Sequence, residues 1–167
     1  IDLIALLPEL VLSAVACLLL LTAFMNEPQA SDDNIFYAPR GTELAYKATL
    51  VTLLGLSFAF GLQAVDEPVH AFNGLFMVDA LSSLLKSIAC LAVLVSLVYS
   101  KQYLIDRGLF RVDFIVLSLL ALLGQCVMIS GSNLMTLYLG LELLALPTYA
   151  LVAMQRDSSV STEAAMK

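Results

Sequence analysis

Long apolar runs separated by short polar ones set the pattern of this chain. The runs lie at 3–25, 45–65, 76–100, 114–130 and 134–154. A hydrocarbon layer about 30 Å thick is crossed by about 20 apolar residues in a helix, and each run approaches or exceeds that length. The fourth run carries no charge at all, the third is interrupted by Asp79 and Lys86, and the fifth by Glu142. None has the strict apolar and polar alternation of a membrane β-strand. A helix satisfies its own backbone hydrogen bonds in lipid. The pattern therefore predicts an all-α integral membrane bundle of about five transmembrane helices.

The first run is read as a retained helix. It has no basic n-region, since Asp2 and Glu9 are acidic, and it is longer than the apolar part of a signal peptide. Turn formers fill the connections, in NEPQASDDN and APRG after the first run and in Asp66, Glu67, Pro68, His70 and Asn73–Gly74 after the second. Residues 66–75 are expected to form a loop. KQYLIDRGLFRVD follows the third run, GSN is a tight turn after the fourth, and 155–167 is a polar tail. No repeat or low-complexity tract divides residues 1–167, which read as a single transmembrane region.

Composition agrees with the pattern. Hydrophobic residues make up 60% of the chain and charged ones 13%, with mean hydropathy +0.93, whereas soluble domains carry about a quarter charged residues. The net charge of −6 sits mostly in the loops and identifies no partner. The basic residues do carry information. Arg40, Lys47 (at the start of the second run), Lys101, Arg107, Arg111, Arg156 and Lys167 all lie at the ends of the runs on one side, and only Lys86 lies deep within a run. Basic flanks stay in the cytoplasm. The N-terminus is expected outside and residue 167 on the cytoplasmic side, and the alternation supports the helix count.

Cys17, Cys90 and Cys126 fall inside the runs at no metal-ligand spacing and read as small buried hydrophobes. His70, the single histidine, reads as a solvated loop side chain. There is no Gly-rich phosphate loop, CxxC pair or nucleophile elbow, so the residues suggest no cofactor, no metal, no catalytic site and no nucleic-acid partner.

The charges inside the runs remain. A charged side chain at mid-bilayer costs roughly 2.5–3.5 kcal/mol on insertion scales, and such residues face a protein interior or a water path. Glu142 stands eight residues past Leu134, about 12 Å along a helix. Pro147 has no N–H to offer the Leu143 carbonyl, and a released carbonyl beside a carboxyl group can recruit water. Glu142 is thus the candidate proton carrier, against the plainer reading of a static hydrogen bond between helices. Lys86 is the second candidate, with snorkelling as its alternative. It shares a helix face with Asp79, seven residues away, which reads as interfacial. Glu9 follows Pro8 in the first helical turn and reads as a cap near the outer interface.

LLPELVL, FMVDALSSLLK, LYLGLELLALPTYALVA and STEAAMK together resemble the antiporter-like membrane subunits of respiratory complex I, along nearly the whole chain. The resemblance implies proton translocation driven by redox chemistry elsewhere, with NADH, flavin, iron–sulfur clusters and quinone held by other subunits. It implies other complex I membrane subunits and the lipid bilayer as partners, and a bacterial inner membrane as location. It matches Glu142 to a proton-path glutamate of the family, and sets Lys86 and Lys167 at positions resembling family lysines. The family fold has about fourteen helices in two pseudo-symmetric bundles, and its glutamate pairs with a lysine in a broken seventh helix. This chain reaches only the start of a sixth helix and begins without methionine, so it is expected to be an N-terminal part of a longer subunit. A subunit of a multi-subunit cation/proton antiporter and a purely structural membrane anchor are the competing readings.

Overall fold

The apolar runs become helices because a helix closes its backbone hydrogen bonds within one segment, without water. In the computed structural model, which describes residues 6–25, 40–63, 69–72, 74–154 and 163, they form α1 (Leu7–Met25), α2 (Arg40–Leu62), α3 (Ala80–Asp106), α4 (Val112–Ser130) and α5 (Leu134–Val152). Among the described residues four stretches are long and apolar enough to cross a membrane: Gly41–Leu62, Ala80–Asp106, Val112–Ser130 and Leu134–Val152. α1 supplies a shorter apolar stretch, Leu7–Ala23, which packs beside them.

Between α2 and α3 the expected loop is partly a small antiparallel hairpin. β1 (Val69–Ala71) pairs with β2 (Phe76–Val78) in the register Val69 to Val78, His70 to Met77 and Ala71 to Phe76. The reversal uses Phe72 at φ 54° and Gly74 at φ 84°, a conformation that glycine adopts without a Cβ clash. Residues 76–78 were expected inside the third helix, because Phe-Met-Val is apolar and runs into the next apolar stretch. Instead the helix begins after Asp79. The Asp79 carboxylate accepts from the Ser82 N–H at 2.7 Å, and the Ser82 hydroxyl caps the Asp79 N–H at 2.9 Å, a reciprocal capping box. At its other end α3 runs past Ser100 to Asp106. It stops at Gly108, φ 66°, where the Gly108 N–H meets the Ile105 carbonyl at 3.0 Å and the Leu109 N–H meets the Leu104 carbonyl at 2.8 Å.

α4 is the centre of the bundle, touching α1, α2, α3 and α5. Ile115, Val116, Leu119, Leu122 and Cys126 on α4 are buried against Leu12, Ala16, Leu53, Phe60 and Cys90. The outward faces are apolar too: Leu62, Leu84 and Ile88 are exposed, as lipid contact requires. α4 and α5 approach closely at two glycines. A Cβ on Gly124 would lie 2.5 Å from the Leu144 nitrogen, and one on Gly140 would lie 2.8 Å from the Met128 nitrogen. Small residues at such crossings let helix backbones pack directly in a membrane.

The two ends of the bundle differ. At one end the hairpin meets the α4–α5 turn: Phe76 bridges to Gly131, the Ser132 N–H donates to the Leu75 carbonyl at 3.3 Å, and the Ser132 hydroxyl donates to the Gly74 carbonyl. At the other end Lys101 lies 3.7 Å from a Glu43 carboxylate oxygen and 4.8 Å from the Tyr46 ring centre. Tyr46 stacks edge-on with Phe110 at 5.7 Å and its hydroxyl donates to the Leu97 carbonyl at 3.3 Å.

Two expectations follow. Gly124→Ala forces α4 and α5 apart and should destabilise the protein by about 1–3 kcal/mol, the usual cost of overpacking. Gly55→Ala, with nothing within 4 Å of the added methyl, should be nearly neutral; thermal unfolding in detergent compares the two. The capping hydrogen bonds from Ser82 hold the Asp79 carboxyl below its ordinary value. A depressed carboxyl adds stability above its unfolded pKa and loses it as pH falls through the folded value. The protection factor of the Ser82 amide should therefore stay high at neutral pH and fall below the usual aspartate range near about 3.9. Asp79→Asn should keep the protection and abolish that pH dependence.

Candidate functional site

Four helices and the hairpin converge on one charged pair. Glu9 lies in the first turn of α1 and Lys86 two turns into α3. They are 77 positions apart in sequence, and the Lys86 ammonium donates to Glu9 Oε1. Lys86 is 1% exposed and Glu9 3%. Glu9 is therefore not the interfacial cap that its place beside Pro8 suggests. α1 packs onto α4 and α2, and that packing turns the first-turn carboxylate inward.

Aromatic rings close the site. The Lys86 ammonium is 5.4 Å from the Phe60 ring centre on α2 and 4.9 Å from that of Phe76 on β2. At these distances the negative ring faces attract the cation, an effect worth about 2 kcal/mol when water is excluded. Phe76 is buried beside Ala71 and Val78, with Leu6 packed on them, so the hairpin lies over the ammonium as a lid. One turn further along α3 is Cys90, its thiol within hydrogen-bonding reach of Cys126 on α4. Both thiols are buried, whereas Cys17 on α1 is exposed, contrary to the expectation of three buried thiols.

The pair is not fully satisfied. Glu9 Oε2 and the Ser130 hydroxyl are buried with no hydrogen-bond partner among the described residues. An orphaned carboxylate oxygen is expensive in a dry interior, and it marks where a water or a proton would be held.

Glu142 occupies a different place. It is half-buried near the middle of α5, with Tyr138 one turn away and within hydrogen-bonding reach. Pro147 is buried inside α5, and the Thr148 hydroxyl donates to the Leu144 and Ala145 carbonyls at 3.1 and 2.8 Å. Only 11% of the α5 span is buried, against 28–39% for the other three spans. Glu142 therefore stands on the least covered of the four spans, and Lys86 in an enclosed interior. Lys167 lies outside the described residues. Among the described residues no three His, Cys, Asp or Glu side chains gather as a metal site would need.

A bundle of apolar helices enclosing an ion pair, with a further carboxylate in mid-helix, defines an integral membrane protein that keeps ionisable groups within its spans. Residues 131–167, which include α5, match a family profile described as NADH:quinone oxidoreductase/Mrp antiporter, TM. Over 124 residues, 74% of this chain, the sequence is 56% identical to NADH-quinone oxidoreductase subunit N of Thiobacillus denitrificans. It is 42% identical over 170 residues, 99% of the chain, to the subunit N of Methylovorus glucosotrophus. It is 39% identical over 160 residues, 96% of the chain, to that of Nitrosomonas europaea. The chain spans between 26% and 32% of the length of these three relatives. It belongs to the family of antiporter-like membrane subunits of NADH–quinone oxidoreductase.

Removing one partner of a buried ion pair strands the other charge, at about 3–5 kcal/mol. Lys86→Met should therefore lower thermal stability strongly, and the double variant Glu9→Gln/Lys86→Met should regain most of the loss, because no unpaired charge is left inside. A simple sum of the single-variant losses in the double would show that the two side chains do not interact.

Proposed function

We propose that this chain is part of a proton-translocating membrane subunit of NADH–quinone oxidoreductase, complex I. The observation that carries the reading is the ion pair Glu9–Lys86, buried among helices of hydrocarbon-spanning length, in a sequence that matches subunit N over nearly its whole extent. Ionisable groups are retained at such depth where charge or protons must move.

On this reading the chain does no redox chemistry and has no catalytic site of its own. NADH, flavin, iron–sulfur clusters and quinone belong to other subunits of the complex, and its partners are those subunits and the lipid bilayer. It lies in a bacterial inner membrane with the Glu9 end on the periplasmic side. The end carrying Lys47, Lys101, Arg107 and Arg111 is cytoplasmic. Glu142 is the carboxylate that exchanges a proton with hydrated neighbours, with Tyr138 beside it and, one residue on, the Leu143 carbonyl to which Pro147 offers no N–H. Lys86 supplies the buried cation. Lys167 is assigned to the same path on sequence grounds.

The family profile also covers cation/proton antiporters, which supports a second reading: ion exchange with no redox partner. NADH as the fuel separates the two. Inverted membrane vesicles containing the full-length subunit should acidify on NADH addition, and Glu142→Gln should abolish or strongly reduce that signal while the complex stays assembled. Wild-type pumping in Glu142→Gln removes that carboxylate from the path. Absence of any NADH-driven signal in the wild type rejects the complex I reading in favour of the antiporter.

A further inference from the structure

We infer that Glu9 is a second proton-accepting carboxylate, whose protonation is governed by whether Lys86 is paired with it; the inference rests on the function proposed above. Glu9 Oε1 takes the Lys86 ammonium, and Oε2 has no partner among the described residues although Glu9 is 3% exposed. A built, fully used structural salt bridge would satisfy both oxygens, since each unpaired one costs desolvation energy that a hydrogen bond would offset. The free oxygen is the atom available to a proton.

The surroundings make the pairing consequential. The groups facing Glu9 are Lys86 and Cys90 from α3 and Cys126 from α4, while α2 and β2 contribute the uncharged rings of Phe60 and Phe76 to the Lys86 side. Lys86 is therefore the one formal positive charge available to balance the carboxylate among these neighbours. When Lys86 is drawn toward another anion, the carboxylate loses its counter-ion in a dry pocket, and Oε2 takes one proton from a hydronium ion, whose O–H bond breaks to leave water. When Lys86 returns, the carboxyl O–H breaks and the proton passes to a water as hydronium, so the net charge of the pocket is the same before and after a full cycle.

The two rings also give the ammonium a defined place. Phe76 belongs to the hairpin, and the hairpin is bonded to the α4–α5 turn through Phe76–Gly131 and Ser132–Leu75. Movement of α5, the helix carrying Glu142, is thereby felt at the lid over Lys86. The path of coupling is backbone hydrogen bonds and one ring.

The test uses the full-length subunit in its complex, in inverted vesicles. The variant is Glu9→Gln/Lys86→Met, which removes both charges together. The expected result is an assembled complex that oxidises NADH but moves fewer protons per NADH. Wild-type proton yield in that variant overturns the inference and makes the pair structural. A wild type that does not pump with NADH defeats the proposed function instead, so the two failures are distinct. Should the double variant not assemble, the wild-type complex decides. A hydrophobic carbodiimide reacts with protonated carboxyls in apolar surroundings, and mass spectrometry reads which ones. Glu9 labelling that rises during NADH turnover over the resting complex supports a pair that opens; labelling unchanged by turnover overturns it.

Discussion

The Lys86 ammonium, held by Glu9 and faced by Phe60 and Phe76, is the interaction around which this bundle is arranged. A lone ammonium in that position would be intolerable, because hydrocarbon offers it nothing to replace water. Four separate pieces of chain answer the problem: α1 brings the carboxylate, α2 and β2 bring rings, and α4 closes the side through Cys126. Helix association in a membrane has little hydrophobic driving force of its own. A buried charge that must be partnered therefore fixes which helices are neighbours far more sharply than matching apolar surfaces can. The glycine crossings of α4 and α5 do the complementary task, letting backbones approach where no polar pair holds them.

That division explains why the molecule has a tight half and an open half. α1 to α4 share a core and a charge pair, whereas α5 leans on α4 and leaves most of its surface uncovered. Glu142 sits on the open half. A carboxylate on a sparsely covered helix can exchange protons only where water and a counter-charge reach it, and within these residues its near polar companion is the Tyr138 hydroxyl. The Glu9 site has the reverse character, with a counter-charge in place and water held back. On the proposed function, two carboxylates in such opposite settings would serve different steps of a relay, Glu142 as the one open to exchange and Glu9 as the one controlled by its partner.

The helices were legible because their cause is compositional: twenty apolar residues in a row have few options. Lys86 was legible as costly for the same reason. Its partner was not. Glu9 sits 77 residues away in sequence, directly after a proline in a first helical turn, where an acidic residue already has an adequate local explanation in the helix dipole. Only the packing of α1 shows that the side chain turns inward. The hairpin was hidden in another way. Val-His-Ala and Phe-Met-Val are too short to show a period of two, and the second is apolar enough to merge with α3. The signal that separates them is Asp79 followed three residues later by Ser82, a helix start read from side chains that can bond the first turn.

The hairpin forms the structural link between the surroundings of the two carboxylates. A loop of arbitrary conformation between α2 and α3 would seal the Glu9 end loosely and transmit nothing. A paired strand bonded at Gly131 ties the ring above Lys86 to the start of the helix that carries Glu142. Gly131 is tightly placed, since a Cβ there would be 3.3 Å from the Leu137 nitrogen in the first turn of α5. The α4–α5 turn thus has little room to move without moving either the hairpin or α5. Coupling between distant sites needs an element with two arrangements that both sites bias. In this chain the turn and the lid are the contiguous element between the two carboxylates, and the position of Phe76 over the ammonium is the quantity that such an element would change.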